Sequence, residues 1–588
     1  MNVAEFLIAI VQRLGTDAAF SLTGGMATHI NCAVGMSSLR VIYCNHEQAC
    51  VSAADGYAKM HEYLVPGLAV VTSGPGVTNV MTALASAYHD SVPIIVIAGQ
   101  VKSADINRYG VRSYGAQEVP SLDLVRPIVK DALRYSPTNI DDERLAELFA
   151  SAISARKGPV FIEVPLDAQP LKVVAGEERI LAILEKIASL TKIAVPLAGD
   201  HQAMIKNACR NAKRPVLFLG NGNRIAGISR EQLLNLVEHL GAPVLTTWPS
   251  TDLLDAQHHL HFGSPGGLAP THSNRIIQNA DLILFLGARI DLLTTGFNPD
   301  LFGKRAVRIV VDIDPAELEK LSKAPGTHLV LSNLRPTVDW LVGQNDLDLR
   351  HSDWLVRCAK LRDEDAVLEA RSFGDSCSLN ARNVAKIFAD NVTGKTLVAT
   401  GSGYAIEGFA RFFAPTHGNR LFYAGHSLGS MGMGLPAAIG AAAANIGSVI
   451  GLEGDGGIML NVQELLTINA NSDIKLALIV FNNAGYISIS RSQSRAFGKE
   501  FGASVTSGLG SPDIFALAET FGLDYVRVMT CLELKDVLGE IDAGRSRLIV
   551  DINMEDDDYR GPAIVTKFHP DGTPYSSDIE DVSWKTPG

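Results

Sequence analysis

Cysteine is sparse and unpatterned: seven residues in 588, with no Cys-x-x-Cys pair. That spacing offers neither a zinc knuckle nor a disulfide framework and points to a reducing compartment, so a cytoplasmic protein is expected. Basic charge is also short, with 51 Lys and Arg against 63 Asp and Glu and a net charge of −12. A chain without a basic face cannot gather phosphates along a nucleic acid or an anionic membrane, and neither is expected as a partner. The start, Met1-Asn2-Val3-Ala4-Glu5, lacks the basic residues that precede the apolar core of a signal peptide. One long uncharged run, 426–452, is dominated by Gly and Ala and contains Pro436. It reads as a close-packed helix and strand rather than a membrane span.

What is present fits a globular α/β enzyme: 47% hydrophobic residues, 19% charged, and 53 glycines. A chain of this length exceeds one core and calls for three or four domains. Residues 1–170 alternate helical and strand patterns, with apolar strand runs at 18–22, 40–44, 68–72, 94–98 and 160–164. A linker and helix occupy 167–192. A second such unit covers 193–345, with runs at 215–219, 243–247, 282–286 and 307–311. A third covers 375–555, with runs at 397–400, 448–453, 475–481 and 548–552. Alternation of this kind predicts doubly wound parallel sheets, three in succession. The polar tail 556–588 is expected to lie over the surface as a lid or arm.

The chemistry concentrates in two places. Gly454-Asp455-Gly456 follows one apolar run, and Asn482-Asn483 closes the next, Leu478-Ile479-Val480-Phe481. Both therefore fall where loops leave the carboxyl edge of a parallel sheet, the usual ligand position in such folds. A carboxylate and an amide oxygen meeting there suit Mg²⁺, and glycines let backbone N–H groups approach a diphosphate. Far upstream, Asn45-His46-Glu47-Gln48 joins a strand to a helix. Each motif alone is more often a turn or a helix start; two in this order, some four hundred residues apart, are hard to obtain by chance.

Gly-Asp-Gly followed roughly thirty residues on by Asn-Asn resembles the signature of thiamine diphosphate enzymes. Nearly the whole chain resembles their acetolactate synthase branch. The likeness rests on Gly24-Gly25, His46-Glu47-Gln48, Ser73-Gly74-Pro75-Gly76-Val77-Thr78-Asn79, Leu286-Gly287-Ala288-Arg289, Asp312-Ile313-Asp314-Pro315, the stretch from Met431 to Gly440, and Asn461-Val462-Gln463-Glu464-Leu465. His29 and the tail, with Pro570-Asp571-Gly572-Thr573 and Ile579-Glu580-Asp581, look closer to a subgroup from polysaccharide clusters that transfers a two-carbon unit to a nucleotide-linked keto-sugar.

The resemblance implies pyrimidine-binding, central and diphosphate-binding domains, and a homodimer or homotetramer with active sites at the subunit interface. Glu47 would activate the coenzyme through its pyrimidine and should be buried to hold a proton. Met431 would prop the bent coenzyme, the Gly429 carbonyl would accept from its amino group, and Pro75 would lie beside it. Asp455, Asn483 and the Gly485 carbonyl would hold Mg²⁺; Gly456, Gly457, Gly403 and Tyr404 would receive the diphosphate. Gln117 and the Gly25 backbone would face the substrate oxyanion, and His29 would exchange protons with the acceptor. Met431 is equally a core gap-filler, Gln117 an ordinary loop amide, and His29 a structural histidine. FAD stays open: Arg289, Asp291 and Asp312-Ile313-Asp314 match, whereas Gly220-Asn221-Gly222 and Trp248-Pro249-Ser250 do not.

The leading function is decarboxylating carboligation of a 2-keto acid, pyruvate foremost, onto a second carbonyl compound. Plain decarboxylation is the first rival. The family's decarboxylases place a glutamate six residues after the second asparagine, where this chain has Ile489, and paired histidines in the first domain, where it has none. Acetolactate synthesis proper and a non-catalytic binding protein are the others. Acetolactate synthases carry a tryptophan where this chain has Ser492, which implies room for a larger acceptor. The polar neighbours Arg491, Gln493, Ser494 and Arg495 would suit a sugar or a phosphate.

Overall fold

The computed structural model describes residues 1–192, 194–373, 377–555 and 561–584. Its first sheet contains β1 (Ala18–Ser21), β2 (Arg40–Tyr43), β3 (Gly67–Val71), β4 (Ile94–Gln100), β5 (Asp131–Arg134) and β6 (Val160–Pro165). All pair in parallel, in the order β2-β1-β3-β4-β6-β5. Every residue of β3, β4 and β6 is buried. Covering helices on both faces explain why these strands read as unbroken apolar runs rather than alternating ones. The helix Gly176–Thr191 lays Ile180, Ile183 and Ile187 into this domain's core, so its packing continues past residue 170.

The central sheet is β7 (Pro215–Leu219), β8 (Val244–Thr246), β9 (Leu282–Leu286), β10 (Val307–Asp312) and β11 (Thr327–Leu331), in the order β11-β10-β9-β7-β8. The long helix Ser352–Phe373 buries Trp354, Cys358 and Leu361 against it. The third sheet is β12 (Thr396–Thr400), β13 (Arg420–Ala424), β14 (Val449–Gly454), β15 (Leu476–Asn482), β16 (Asp524–Val528) and β17 (Leu548–Asn553). Its order, β13-β12-β14-β15-β17-β16, repeats that of the first sheet strand for strand.

The uncharged run resolves into the helix Gly434–Ala443, buried at every residue, and β14. No helix among the described residues is long and apolar enough to cross a membrane. Gly434–Ala443 lies against the helix Glu47–Met60 of the first domain. A Cβ on Gly56 would stand 1.9 Å from the Ala437 carbonyl oxygen, and one on Gly440 would stand 1.8 Å from that of Ala53. Glycine at both positions is therefore a condition of the contact. Lys59 closes the same seam, ion-paired with Asp55 at 2.7 Å and donating to the Tyr423 carbonyl at 2.6 Å.

The tail crosses to the central domain. Its hairpin, β18 (Thr566–Phe568) and β19 (Pro574–Ser576), is followed by a clamp in which Asp578 and Glu580 pair with Lys304 and Arg305. Ile579 enters the central core, and Trp584 donates its indole N–H to Asp365. The expected arm is thus held down by charge pairs and two apolar anchors. Residues 556–560 and 585–588 lie outside the described residues. The chain after β3 forms two short helices, Pro75–Thr78 and Met81–His89.

Candidate functional site

Asp455 and Asn483 reach each other because β14 and β15 are adjacent, with Gly454 opposite Phe481. Asp455 opens a one-turn helix directly after β14, and Asn483 directly follows β15. Ala484 (φ 60°) and Gly485 (φ 149°) then turn the chain sharply. One terminal atom of the Asn483 carboxamide lies 2.9 Å from the Gly485 carbonyl oxygen and 3.3 Å from Asp455 Oδ1. As nitrogen it would donate to both. As oxygen it completes three converging oxygens, the hard donor set that a small dication requires. Asp455 is 3% exposed. Burial pushes its carboxyl up to about 6, against the lowering effect of nearby backbone N–H groups, those of Gly456 and Gly485 foremost. A dication would remove that penalty, so the residues fit Mg²⁺.

Beside this loop, the turn after β13 contains three glycines at positive φ, Gly425, Gly429 and Gly432, with half-buried Met431 between the last two. It is braced from outside its own domain. Asp90 accepts the N–H groups of His426 and Ser427, each at 3.1 Å, and Arg289 donates to the Ser427 hydroxyl at 2.9 Å. The turn after β12 carries Gly403 at φ 142°, and Tyr404 lies under the Arg491 guanidinium, 4.4 Å from ring centre to Cζ. Below both sits Glu453, fully buried, accepting from Gly434 N at 3.0 Å and Gly454 N at 3.2 Å. Burial pushes its carboxyl up to about 7.

The first-domain residues gather at the carboxyl ends of β1 to β4. Glu47 opens the helix Glu47–Met60, is 8% exposed, and accepts from Asn79 Nδ2 at 2.9 Å. The preceding turn is anchored in the third domain: Asn45 N donates to Glu464 Oε1 at 2.9 Å, and Asn45 Nδ2 to Thr467 at 2.9 Å. Gly74 (φ 61°) abuts Gln117, whose own φ is 62°; a Cβ on Gly74 would lie 2.7 Å from the Gln117 carbonyl oxygen. Gly25, Pro75 and Gln117 are exposed on this edge. His29 is half-buried on the helix Thr28–Met36, its backbone N–H donating to Gln169 at 3.3 Å. Among the described residues no hydrogen bond joins this first-domain group to Asp455 or Asn483 of the same chain.

Sequence reasoning gave no role to Asn79, Glu453 or Glu464. Asn79 and Glu464 fall inside quoted motifs, but their partners lie 32 and 419 residues away.

Ser492 is exposed on the helix Ile487–Phe497. Its polar neighbours are largely engaged: Arg491 with Tyr404, Gln493 with the Phe501 backbone at 2.7 Å, Ser494 with Glu500 at 3.1 Å. Of the four residues suited to a sugar or phosphate, Arg495 alone lacks such a contact among the described residues. Ile489 is 49% exposed on the same helix and carries no proton donor.

A cavity of about 750 Å³ opens where the three domains meet. Gly222, Trp248, Arg289, Asp291, Asp312 and Ile313 line its central-domain side, Ser402 and Ser427 the third-domain side, and Ile564 of the tail its roof. The crevice lies at the switch between β7 and β9, where strand order reverses and nucleotides bind in related sheets. Residues that match acetolactate synthases and residues that do not thus line one space of dinucleotide size. The His258-His259 pair is elsewhere in the central domain. His258 Nε2 bonds Glu238 at 2.8 Å while its Nδ1 accepts from Leu260 N at 3.3 Å, which engages both ring nitrogens.

Three family models match in order: the thiamine pyrophosphate enzyme N-terminal TPP binding domain over residues 1–121, the central domain over 203–338, and the C-terminal TPP binding domain over 402–552. The chain is 30% identical over 555 residues to a probable acetolactate synthase large subunit of Methanococcus aeolicus, covering 92% of this chain and 90% of that one. It is 31% identical over 569 residues to the corresponding protein of Methanocaldococcus jannaschii, with 94% and 92% covered. To the chloroplastic acetolactate synthase of Arabidopsis thaliana it is 30% identical over 504 residues, 82% of this chain and 70% of that one.

Proposed function

The chain belongs to the thiamine pyrophosphate enzymes of the acetolactate synthase-like family, and on that premise we propose that it is a Mg²⁺-dependent decarboxylating carboligase. Its donor is a 2-keto acid, pyruvate foremost, and its acceptor a second carbonyl compound. The observation that carries this reading is the meeting of the Asp455 carboxylate, the Asn483 carboxamide and the Gly485 carbonyl at the ends of two adjacent parallel strands. Bound there, thiamine diphosphate supplies the electron sink that lets a 2-keto acid lose CO₂ and leave a nucleophilic two-carbon unit.

The chain's own groups do the rest. Asp455, Asn483 and the Gly485 carbonyl hold the dication, and Gly456, Gly457, Gly403 and Tyr404 take the diphosphate. The turn bearing Gly429 and Met431 shapes the coenzyme, and buried Glu47 hydrogen-bonds its pyrimidine and relays a proton there. Gln117 and Gly25 face the substrate oxygen, and His29 exchanges a proton with the acceptor carbonyl. Among the described residues of one chain Glu47 has no bond to the metal loop, and Gly25, Pro75 and Gln117 stand exposed. Both facts support a homodimer or larger oligomer that completes each site from two chains.

With Ile489 where a decarboxylase needs an acid, the two-carbon unit is passed to a carbonyl rather than protonated. CO₂ release from pyruvate should therefore rise when an acceptor is added, and free acetaldehyde should be a minor product. A non-catalytic binding protein would release none. We read the space above Ser492 as room for an acceptor bulkier than pyruvate, a nucleotide-linked keto-sugar among the candidates. Ser492→Trp should shift the product ratio from the bulky adduct toward acetolactate. Wild-type protein that makes acetolactate rapidly and ignores every larger carbonyl is instead an acetolactate synthase proper.

The three-domain cavity is read as a flavin site, since its lining combines the Arg289–Asp291 and Asp312–Ile313 loops in one dinucleotide-sized space. Purified protein should then show a flavin absorbance band; apoprotein that gains none from added FAD would rule it out.

A further inference from the structure

We infer that Glu453 is a positioning residue that ties the coenzyme-shaping turn to the metal loop. The inference rests on the thiamine diphosphate reading of the site. Glu453 is the penultimate residue of β14, has no exposed surface, and faces away from solvent under both loops. One carboxylate oxygen takes Gly434 N at 3.0 Å; the other takes Gly454 N at 3.2 Å. The N–H groups of Leu435 and Gly432 also favour the charge of this carboxylate. Gly434 belongs to the stretch that begins at Met431, and Gly454 directly precedes Asp455. A single anion thus fixes the backbone on both sides of the space assigned to the coenzyme.

The glycines around it fit this role. A Cβ on Gly457 would lie 2.3 Å from Glu453 Oε1, and one on Gly434 would lie 2.9 Å from Oε2. The small residues of the metal loop therefore admit the carboxylate from beneath, besides letting a phosphate approach from above. No other acidic group could substitute, because a buried carboxylate with several N–H donors must sit within hydrogen-bond reach of all of them.

Glu453→Gln keeps the shape but turns an NH₂ toward a set of N–H donors, so at least one donor loses its acceptor and the loops come apart. Mg²⁺ affinity, followed with Mn²⁺ as the probe, should fall roughly tenfold or more. C2–H/D exchange of bound thiamine diphosphate, measured at saturating coenzyme and metal, should fall by a comparable factor. Loss of both together is the signature; a merely structural role would lower the melting temperature and leave saturated exchange unchanged. Glu453→Asp, which keeps the anion but draws it back from both loops, should show the same two losses in smaller measure, and it decides the matter if Glu453→Gln does not fold. Exchange and Mn²⁺ affinity within twofold of wild type in either folded variant would overturn the inference. Wild-type protein that fails to bind the coenzyme would sink the site reading itself, which is a separate outcome.

Discussion

Glu47→Gln is expected to cut turnover roughly a hundred- to ten-thousandfold while folding and coenzyme affinity stay close to wild type. The amide is nearly isosteric, and its carbonyl oxygen can still accept the bond that Asn79 Nδ2 donates to Glu47 Oε2. The helix start also survives, because His46 supplies the cap through Nδ1 to Gln48 N. What disappears is the exchangeable proton. Comparing steady-state CO₂ release with C2–H/D exchange of bound coenzyme separates the causes. Exchange as fast as wild type in the variant would remove Glu47 from the activating role.

Asp455→Ala should abolish metal-dependent coenzyme binding, weakening it by roughly a hundred- to thousandfold, the usual cost of deleting one partner of a buried charge pair. Burial already disfavours the Asp455 anion, and only a cation in the space shared with Asn483 and Gly485 would make that placement favourable. Excess chelator should copy the effect in wild type. Thiamine diphosphate affinity unchanged by chelator would show that these oxygens serve another purpose. The two variants also test each other. If Glu47 and Asp455 of one site come from different chains, mixing and reassociating equal amounts of the two inactive proteins should recover about a quarter of wild-type activity. Variants that stay inactive after proven exchange of subunits would place both residues in one chain's site.

Much of this architecture was legible because interior strands of a doubly covered sheet are uniformly apolar, as at Ile94–Gln100 or Leu476–Asn482. The strands of the three large sheets that escaped reading, Asp131–Arg134, Thr327–Leu331, Arg420–Ala424 and Asp524–Val528, all lie at sheet edges. One flank of an edge strand meets no neighbour, so charged residues are tolerated and the apolar run is short or absent. The metal loop was legible for a different reason: Asp455 and Asn483 need nothing beyond two adjacent strands to meet. Glu464 and Asp90 were not, because each matters through a backbone N–H in another domain, and a backbone N–H leaves no mark on the sequence. The polar residues around Ser492 show the opposite failure. Their composition suggested an open, ligand-facing surface, yet Tyr404, Phe501 and Glu500 occupy most of them.

The contact between Glu47–Met60 and Gly434–Ala443 has the form of an isologous interface, although it lies inside one polypeptide. Each helix follows the equivalent strand of an identically wound sheet, and each offers a glycine to the other's alanine: Gly56 to Ala437, Gly440 to Ala53. The end domains are in effect two copies of one unit, docked about an internal pseudo-dyad and fused. On the function proposed above, corresponding loops carry complementary halves of one task. The loops after β2 and β4 bear Glu47 and Gln117; their counterparts after β13 and β15 bear Met431 and Asn483. Because the shared faces are spent on this docking, the loop-bearing ends of both units remain open. A true two-fold axis through a second chain would bring the proton-holding half of one against the phosphate-holding half of the other. Two such chains would form a quasi-tetrameric body with two sites, each site crossing from one chain to the next.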